Sequence, residues 1–320
     1  MISGADAPSP ASGISGENPM KITLVLNRDA GTLRTLDANA VGEELAEIFR
    51  AEDHEVTVEI AAGNEAVVAI KRAAKAKGTE AIVVGGGDGT ISAAAAIVAE
   101  SGVALGVLPL GTMNFFARSL GIPLEMKAAA KALAIGEVAA VDIATVNGRT
   151  FVHTLALGLH PTMVAEREKL AYGSRYGKML GSARAFLRVI RNPRRFSVSI
   201  TTDEKTVEFR TAGLVVSNNP LGKGQLPYAD RLDEGVLGLY VTTARGWAQL
   251  VRVTAAAAFG AAAESPFVEY RATQAADIRL GRHKSVQTTL DGELVHLPGP
   301  LKVEIVAGGL KVLKPKAAAK

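Results

Sequence analysis

From Lys21 onward, short runs of apolar or alternating residues are interleaved with stretches in which apolar positions recur at helical spacing. KITLVLN (21–27), HEVTVEI (54–60), EAIVV (80–84) and VALGVLPL (103–110) read as strands. Residues 38–52, 64–77 and 91–99 between them read as helices. Strands alternating with helices imply right-handed crossovers and a parallel sheet covered on both faces, so 20–136 is predicted to be an α/β domain. After Gly136 the texture changes to many short strand-like runs separated by turn residues. They include EVAAVDIATV, RTFVHTLAL, RFSVSIT, GLVVSN, GVLGLYV, SVQTTLDG and LKVEIV. Only 174–191 and 245–260 look helical there, which predicts a mostly antiparallel β-sandwich or barrel over 137–320. Its last residues are available to pack back on the first domain. Residues 1–19, rich in Ser, Pro and Gly and lacking the basic and apolar regions of a secretory signal, are expected to form a disordered extension.

A length of 320 residues suits two such domains, and 48% hydrophobic with 21% charged residues suits a globular chain. The absence of cysteine excludes disulfides, thiolate metal sites and cysteine nucleophiles and fits a reducing cytoplasm. The five histidines show no zinc-ligand spacing. A net charge of +4 gives no argument for nucleic acid, and none is expected as a partner. The charge distribution is more informative. Between Arg167 and Arg195 stand nine basic residues and one acid, Glu168. Within that stretch Tyr176, Met179, Leu180, Ala183, Leu187 and Ile190 form one stripe flanked by arginines. Such a helix suits packing on its own domain with a basic rim, or resting on an anionic bilayer. No run reaches the roughly 18 apolar residues of a membrane span. A cytoplasmic protein peripherally associated with a membrane is the resulting expectation.

The candidate chemistry begins at GGGDGT (85–90), where a buried strand runs into a helix. Unpaired N–H groups and the positive end of the helix dipole then lie at the carboxyl edge of the sheet, where phosphate commonly binds. Gly85, Gly86, Gly87 and Gly89 are expected to take positive φ and approach an oxygen without a Cβ in the way. Asp88 supplies a carboxylate for a magnesium-bound water, and Thr90 caps the helix or donates to a phosphate. The segment is neither a Walker A loop nor a GxGxxG fingerprint. A second loop, VLPLGTMNFFARSLGIP (107–123), again ends a strand in Gly111 and Thr112 and starts a helix.

GGGDGT followed by LPLGTMNFFARSLGIP resembles the diacylglycerol kinase catalytic-domain family, which includes soluble bacterial diacylglycerol kinases, related lipid kinases and sphingosine kinases. LNRDAG (26–31), LDEGVL (232–237) and LDGE (290–293) resemble its first-strand NPxAG loop, its D-G-x-L segment and its C-terminal DGE. The resemblance spans 21 to about 313. It implies an α/β nucleotide-binding domain with a parallel sheet, of the NAD kinase/phosphofructokinase kind, followed by a β-sandwich, with ATP and a lipid meeting between them. By resemblance, Asn27, Gly86, Gly87, Asp88, Gly89, Thr90, Gly111, Thr112 and Asn114 hold the nucleotide. Asp291 is then the general base, supported by Glu293. Phe115 stands where the family often has an aspartate, and Arg28 and Asp29 replace the proline neighbourhood of the first loop.

The chemistry is coherent on its own terms. A lipid alcohol is a poor nucleophile, so transfer of a γ-phosphate requires a nearby carboxylate, Mg2+ and donors on the phosphate, and in-line positioning. On an extended segment Asp291 and Glu293 point to one face, although Asp-Gly is also a common hairpin turn. Asp233, with Asp230, forms either a structural magnesium site or a solvated acidic turn. Three activities are consistent with the residues: an ATP- and magnesium-dependent lipid kinase of the diacylglycerol type, an NAD kinase-like enzyme, and a nucleotide- or lipid-binding regulator without catalysis. An exposed sheet edge in the second domain leaves a homodimer open.

Overall fold

The computed structural model describes residues 19–168, 189–203, 205–223, 226–281 and 285–316. The basic helix expected over 174–191 falls almost wholly outside the described residues.

The first domain follows the predicted alternation. Strand β1 (Lys21–Asn27), helix α1 (Ala38–Arg50), β2 (Glu55–Ala61), α2 (Gly63–Lys75), β3 (Ala81–Gly86), α3 (Asp88–Ala99) and β4 (Ala104–Pro109) succeed one another. Helices α4 (Phe115–Ser119) and α5 (Met126–Ala134) lead out of the domain. The order β2-β1-β3-β4 is parallel throughout. Every residue of β3 and β4 is buried, as expected of central parallel strands covered on both faces. Local chemistry sets the helix boundaries. Asp37 caps α1 by accepting from the N–H groups of Asn39 and Ala40, and Gly42, Leu45, Ala46 and Phe49 turn one face inward. Fully burying a side chain such as Phe49 contributes about 2–3 kcal/mol. Gly85 belongs to this packing: a Cβ there would lie 2.5 Å from Leu26 Cδ2 and 2.9 Å from Leu110 Cδ1.

The second domain is antiparallel. Its strands are β5 (Glu137–Val146), β6 (Arg149–Phe151), β7 (Thr154–Gly158), β8 (Phe196–Thr201), β9 (Thr206–Thr211), β10 (Gly213–Asn218), β11 (Leu237–Thr242), β12 (Val268–Thr273), β13 (Ala275–Arg279), β14 (Ser285–Leu290), β15 (Glu293–Pro298) and β16 (Leu301–Lys314). Helix α6 (Leu159–Glu168) follows β7, and α7 (Trp247–Ala258) lies between β11 and β12. A six-stranded sheet, β12-β11-β10-β7-β14-β15, packs on a second antiparallel layer through a core that includes Leu155, Leu214, Leu239, Ile278 and Val303.

That second layer is continuous with the parallel sheet. β16 runs antiparallel to β13 and β5, and its Val312 and Leu313 lie parallel to Leu105 and Gly106 of β4, joining both halves into one ten-stranded sheet. A register shift between Val306 and Leu310 redirects the strand. Gly308, at φ 61°, donates its N–H there to Asp142, a buried carboxylate on β5 that also accepts from Gly235 of the LDEGVL loop. The first and second domains therefore share a backbone-bonded seam, which fixes the orientation of the cleft above it.

Candidate active site

At the carboxyl edge of β3, Gly87 is extended (φ −86°, ψ 177°) and α3 starts at Asp88. The first intrahelical bond is Ile91 N–H to the Gly87 carbonyl, so the N–H groups of Asp88, Gly89 and Thr90 have no intrahelical partner. Contrary to the expectation from sequence, none of Gly85, Gly86, Gly87 and Gly89 takes positive φ. For Gly85 and Gly86 the reason is close approach instead. A Cβ on Gly86 would lie 2.6 Å from Thr90 Cβ, whereas one on Gly89 would meet only Glu293 Oε1, the tip of an exposed side chain that can move aside. Gly87 differs: its nearest neighbour would be Gly111 Cα at 3.7 Å, an ordinary contact, so nothing in the protein requires glycine there.

The two glycine loops form one unit. Asp88 accepts from the N–H groups of Asn114 (3.0 Å) and Phe115 (2.7 Å). Asn114, in the left-handed region at φ 52°, closes its own loop by accepting from Gly111 N–H and donating to the Gly111 carbonyl, both at 2.9 Å. A Cβ on Gly111 would lie 2.8 Å from Gly87 Cα, so this glycine lets the loops touch. Asn27 completes the floor, donating Nδ2 to Thr90 Oγ1 at 3.0 Å. Thr112 is exposed beside them. Because Asp88 bonds to backbone groups at 114 and 115, the phenylalanine at 115 leaves that bonding intact.

Across the cleft, Asp291 and Gly292 form the two-residue turn between β14 and β15, both at positive φ (49° and 87°), the pattern favoured in tight hairpins. The DGE segment is thus a turn, not the extended stretch that would set Asp291 and Glu293 on one face. Asp291 is buried, and its carboxylate accepts four hydrogen bonds. Oδ2 takes Ser92 Oγ–H at 2.5 Å and Val152 N–H at 3.0 Å; Oδ1 takes His153 N–H at 2.8 Å and Thr154 N–H at 3.0 Å. Burial raises its pKa above the usual carboxylate value, and Ser92 and the three backbone donors oppose the rise. Ser92 lies on α3, one turn beyond the glycine loop, so this bond joins the two domains at the site. Glu293 is exposed above Gly89 and has no side-chain hydrogen bond among the described residues.

Phe115 and His153 stack face to face with centroids 4.3 Å apart and planes 14° apart. Exclusion of water lowers the His153 pKa from 6.5 to about 4, with the Asp88 charge opposing the change and His160 adding to it. His160 Nδ1 lies 2.8 Å from Thr289 Oγ1. Ser92, His153, His160 and Thr289 were not identified from sequence; Ser92 meets Asp291 and His153 meets Phe115 only when the domains pack, His160 and Thr289 meet within the second domain, and no local pattern marks any of them. The depressed His153 pKa carries a linkage consequence. Its contribution is fully present above pH 6.5 and is lost as pH falls towards 4, because the unfolded chain takes the proton first. The raised Asp291 pKa acts in the opposite sense in acid, so the comparison needs a matched variant. Relative to His153→Phe, which keeps an aromatic ring, the natural chain is expected to lose of the order of 1–3 kcal/mol between pH 7 and pH 4.5. Urea midpoints at the two pH values measure it; equal losses in both proteins contradict it.

The acidic turn at 230–233 lies elsewhere. Asp233 pairs with Arg231 at 2.9 Å, which holds its carboxyl below the usual range, and Asp230 accepts from Lys223 N–H at 3.2 Å. Among the described residues no group of three or more His, Asp or Glu is arranged to hold a metal ion. A polyphosphate suits the paired glycine loops, where three helix-terminal N–H groups converge beside the sterically open Gly87. A magnesium ion carried by such a phosphate requires only one or two protein carboxylates; Asp88, which accepts one bond on each oxygen, and Glu293 both have free acceptor capacity at the cleft.

Comparison with known proteins gives two family matches in succession along the chain. Residues 21–146 match the model of the diacylglycerol kinase catalytic domain, and residues 170–314 match that of the YegS C-terminal NAD kinase beta sandwich-like domain. A Klebsiella pneumoniae protein named "Probable lipid kinase YegS-like" is 42% identical over 100 residues, 29% of this chain and 34% of that protein. A Staphylococcus saprophyticus protein named diacylglycerol kinase is 26% identical over 220 residues, 67% of this chain and 70% of that protein. The matches span between about a third and about half of the first curated relatives' own length. A crystal structure of a diacylglycerol kinase from Bacillus anthracis superposes with a TM-score of 0.68 at 21% identity, over 93% of this chain and 98% of that one, which shows the shared fold. Both domains are matched in order, so the chain carries a diacylglycerol kinase catalytic domain followed by a YegS C-terminal NAD kinase beta sandwich-like domain.

Proposed function

We propose that this protein is an ATP-dependent lipid kinase that transfers the γ-phosphoryl group to the hydroxyl of a diacylglycerol-like lipid, with Asp291 as the general base. The observation that carries the reading is a buried carboxylate of raised pKa, delivered by the second domain to within hydrogen-bond reach of the helix that begins at the glycine loops. The raised pKa suits proton abstraction near neutral pH.

Both Asp291 oxygens already carry two hydrogen bonds, which fills the capacity of a carboxylate. The lipid hydroxyl therefore enters by displacing Ser92 from Oδ2, the one side-chain donor of the four. The hydroxyl proton passes to Oδ2 as the oxygen forms its bond to the γ-phosphorus and the bond from that phosphorus to the β-phosphate bridging oxygen breaks. ADP leaves, and Asp291 returns its proton to solvent. The N–H groups of Asp88, Gly89 and Thr90 hold the phosphates in line, with Asn27 and Asn114 keeping the loops in shape. Magnesium, held by the nucleotide phosphates and Glu293, would neutralise charge on the transferring group. His153, neutral and stacked on Phe115, keeps water from the carboxylate.

The test is transfer of labelled γ-phosphate from ATP to lipid acceptors, with NAD as a parallel acceptor, the second being the substrate of the NAD kinase-like reading. Labelled lipid is expected.

A further inference from the structure

Helix α7 (Trp247–Ala258) is seated by one face and bare on the other. Leu250 is buried with Ile190, Ala212 and Ala244, which fixes the packed side. The opposite arc carries Trp247, Val251, Ala255 and Ala258, at helical spacings of four, four and three, and ends at Phe259, the C-cap residue. Trp247 is 59% and Phe259 73% exposed. A contiguous apolar stripe with a large aromatic at each end marks an interaction surface. Its charge identifies the occupant. From Gly235 to Ala263 the chain has no acidic residue and carries Arg245 and Arg252; the next acid, Glu264, five residues beyond Phe259, is paired with Lys223. Arg195 is bonded to the Ala244 carbonyl at the start of the helix, which brings the Arg194–Arg195 segment to the same end. An apolar stripe with aromatic ends and a predominantly cationic border is complementary to an anionic bilayer, where rings sit at headgroup depth and arginines meet phosphates.

The placement agrees. Thr154, at one end of β7, donates to Asp291, whereas Gly158, at its other end, lies against the Ala212 carbonyl in the cluster that anchors α7. A five-residue strand spans about 13 Å. The stripe is thus set beyond a short strand from the carboxylate, a separation that allows a lipid headgroup into the cleft while its tails remain in the bilayer.

We propose that α7 is the membrane-docking element, lying in the plane of an anionic lipid surface with Trp247, Val251 and Phe259 immersed and Arg245 and Arg252 on lipid phosphates. The purpose of such docking rests on the lipid kinase reading; its occurrence does not. Trp247 is the chain's only tryptophan, so emission from the full-length protein reports on this helix alone. Vesicles of phosphatidylglycerol and phosphatidylcholine in equal parts are expected to shift that emission to shorter wavelength, and brominated acyl chains to quench it. Val251→Asp and Phe259→Asp, both at exposed positions, are expected to lower partitioning roughly tenfold or more, and Arg245→Glu with Arg252→Glu to abolish the preference for anionic vesicles. An unchanged spectrum with anionic vesicles, or partitioning of both aspartate variants like the natural chain, overturns the proposal. So does a blue shift that appears without lipid as protein concentration rises, which would assign the stripe to a second copy of this chain. Transfer to a short-chain diacylglycerol in detergent separates the two readings: Val251→Asp is expected to retain it. Vesicle binding intact with no transfer in any protein would leave docking standing and remove the kinase assignment.

Discussion

Replacing Asp291 by asparagine is expected to lower phosphoryl transfer by about 10²–10⁴-fold, the range of a general base, while nucleotide affinity stays within a few-fold. On the proposed mechanism Asp291 is both reactive and structural, and the two roles are separable. An asparagine presents one oxygen and one NH₂ group to a site with four donors, so hydrogen bonds on one side are lost and stability falls by about 1–3 kcal/mol. Ser92→Ala removes one of the same donors without touching the base. It is expected to cost about 1 kcal/mol and to change the rate much less than the loss of the base. If Asp291 were only a domain clamp, the two variants would differ in stability and rate by comparable factors. The pH profile gives an independent readout. The acid limb of kcat/KM in the natural chain should lie above the ordinary carboxylate range, following the direction in which burial moves Asp291, and should vanish in Asp291→Asn.

Gly87→Ala is expected to weaken ATP binding by about 100-fold or more, equivalent to roughly 3 kcal/mol, and to change folding stability by no more than about 1 kcal/mol. The contrast lies within one loop. At Gly87 a methyl group meets nothing closer than 3.7 Å inside the protein and has an allowed backbone conformation, so any penalty arises with a ligand. At Gly85 the methyl lies 2.5 Å from Leu26 Cδ2, and Gly85→Ala is expected to cost about 1–3 kcal/mol of stability through overpacking. Calorimetric titration with ATP and urea unfolding of both variants separate the cases. Full ATP affinity in Gly87→Ala would remove the phosphates from this loop.

The difference between those neighbouring glycines shows how far the sequence is legible. The strand–helix alternation of the first domain is written in buried β-branched runs and amphipathic periods, and β1 to β4 form where the pattern places them. The glycine loops are legible as strand-to-helix turns, but not in their mechanics. Positive φ is the common reason for glycine, whereas the close approach of Leu26 and Leu110 to Gly85 is tertiary and leaves no local trace. In the second domain, RTFVHTLAL reads as one strand yet divides into β6 and β7, because the N–H groups of Val152, His153 and Thr154 turn towards Asp291 instead of a neighbouring strand. ELVHLP escapes notice as β15 because it is short and follows a turn already explained. The run LKVEIV reads as ending at Ala307, Gly308 and Gly309, but these residues form the irregularity that lets β16 continue to Lys314 and reach β4. Ser92 and Asp291 stand 199 residues apart, so the bond that assembles the candidate site belongs to the fold and to no motif.

The most direct test of the central claim is transfer of the γ-phosphate from labelled ATP, in magnesium, to a diacylglycerol in anionic vesicles, with Asp291→Asn and an NAD acceptor in parallel. Labelled lipid from the natural chain, with little from Asp291→Asn and none in NAD, is the predicted result. Labelled NAD, or lipid labelled equally by both proteins, would contradict it.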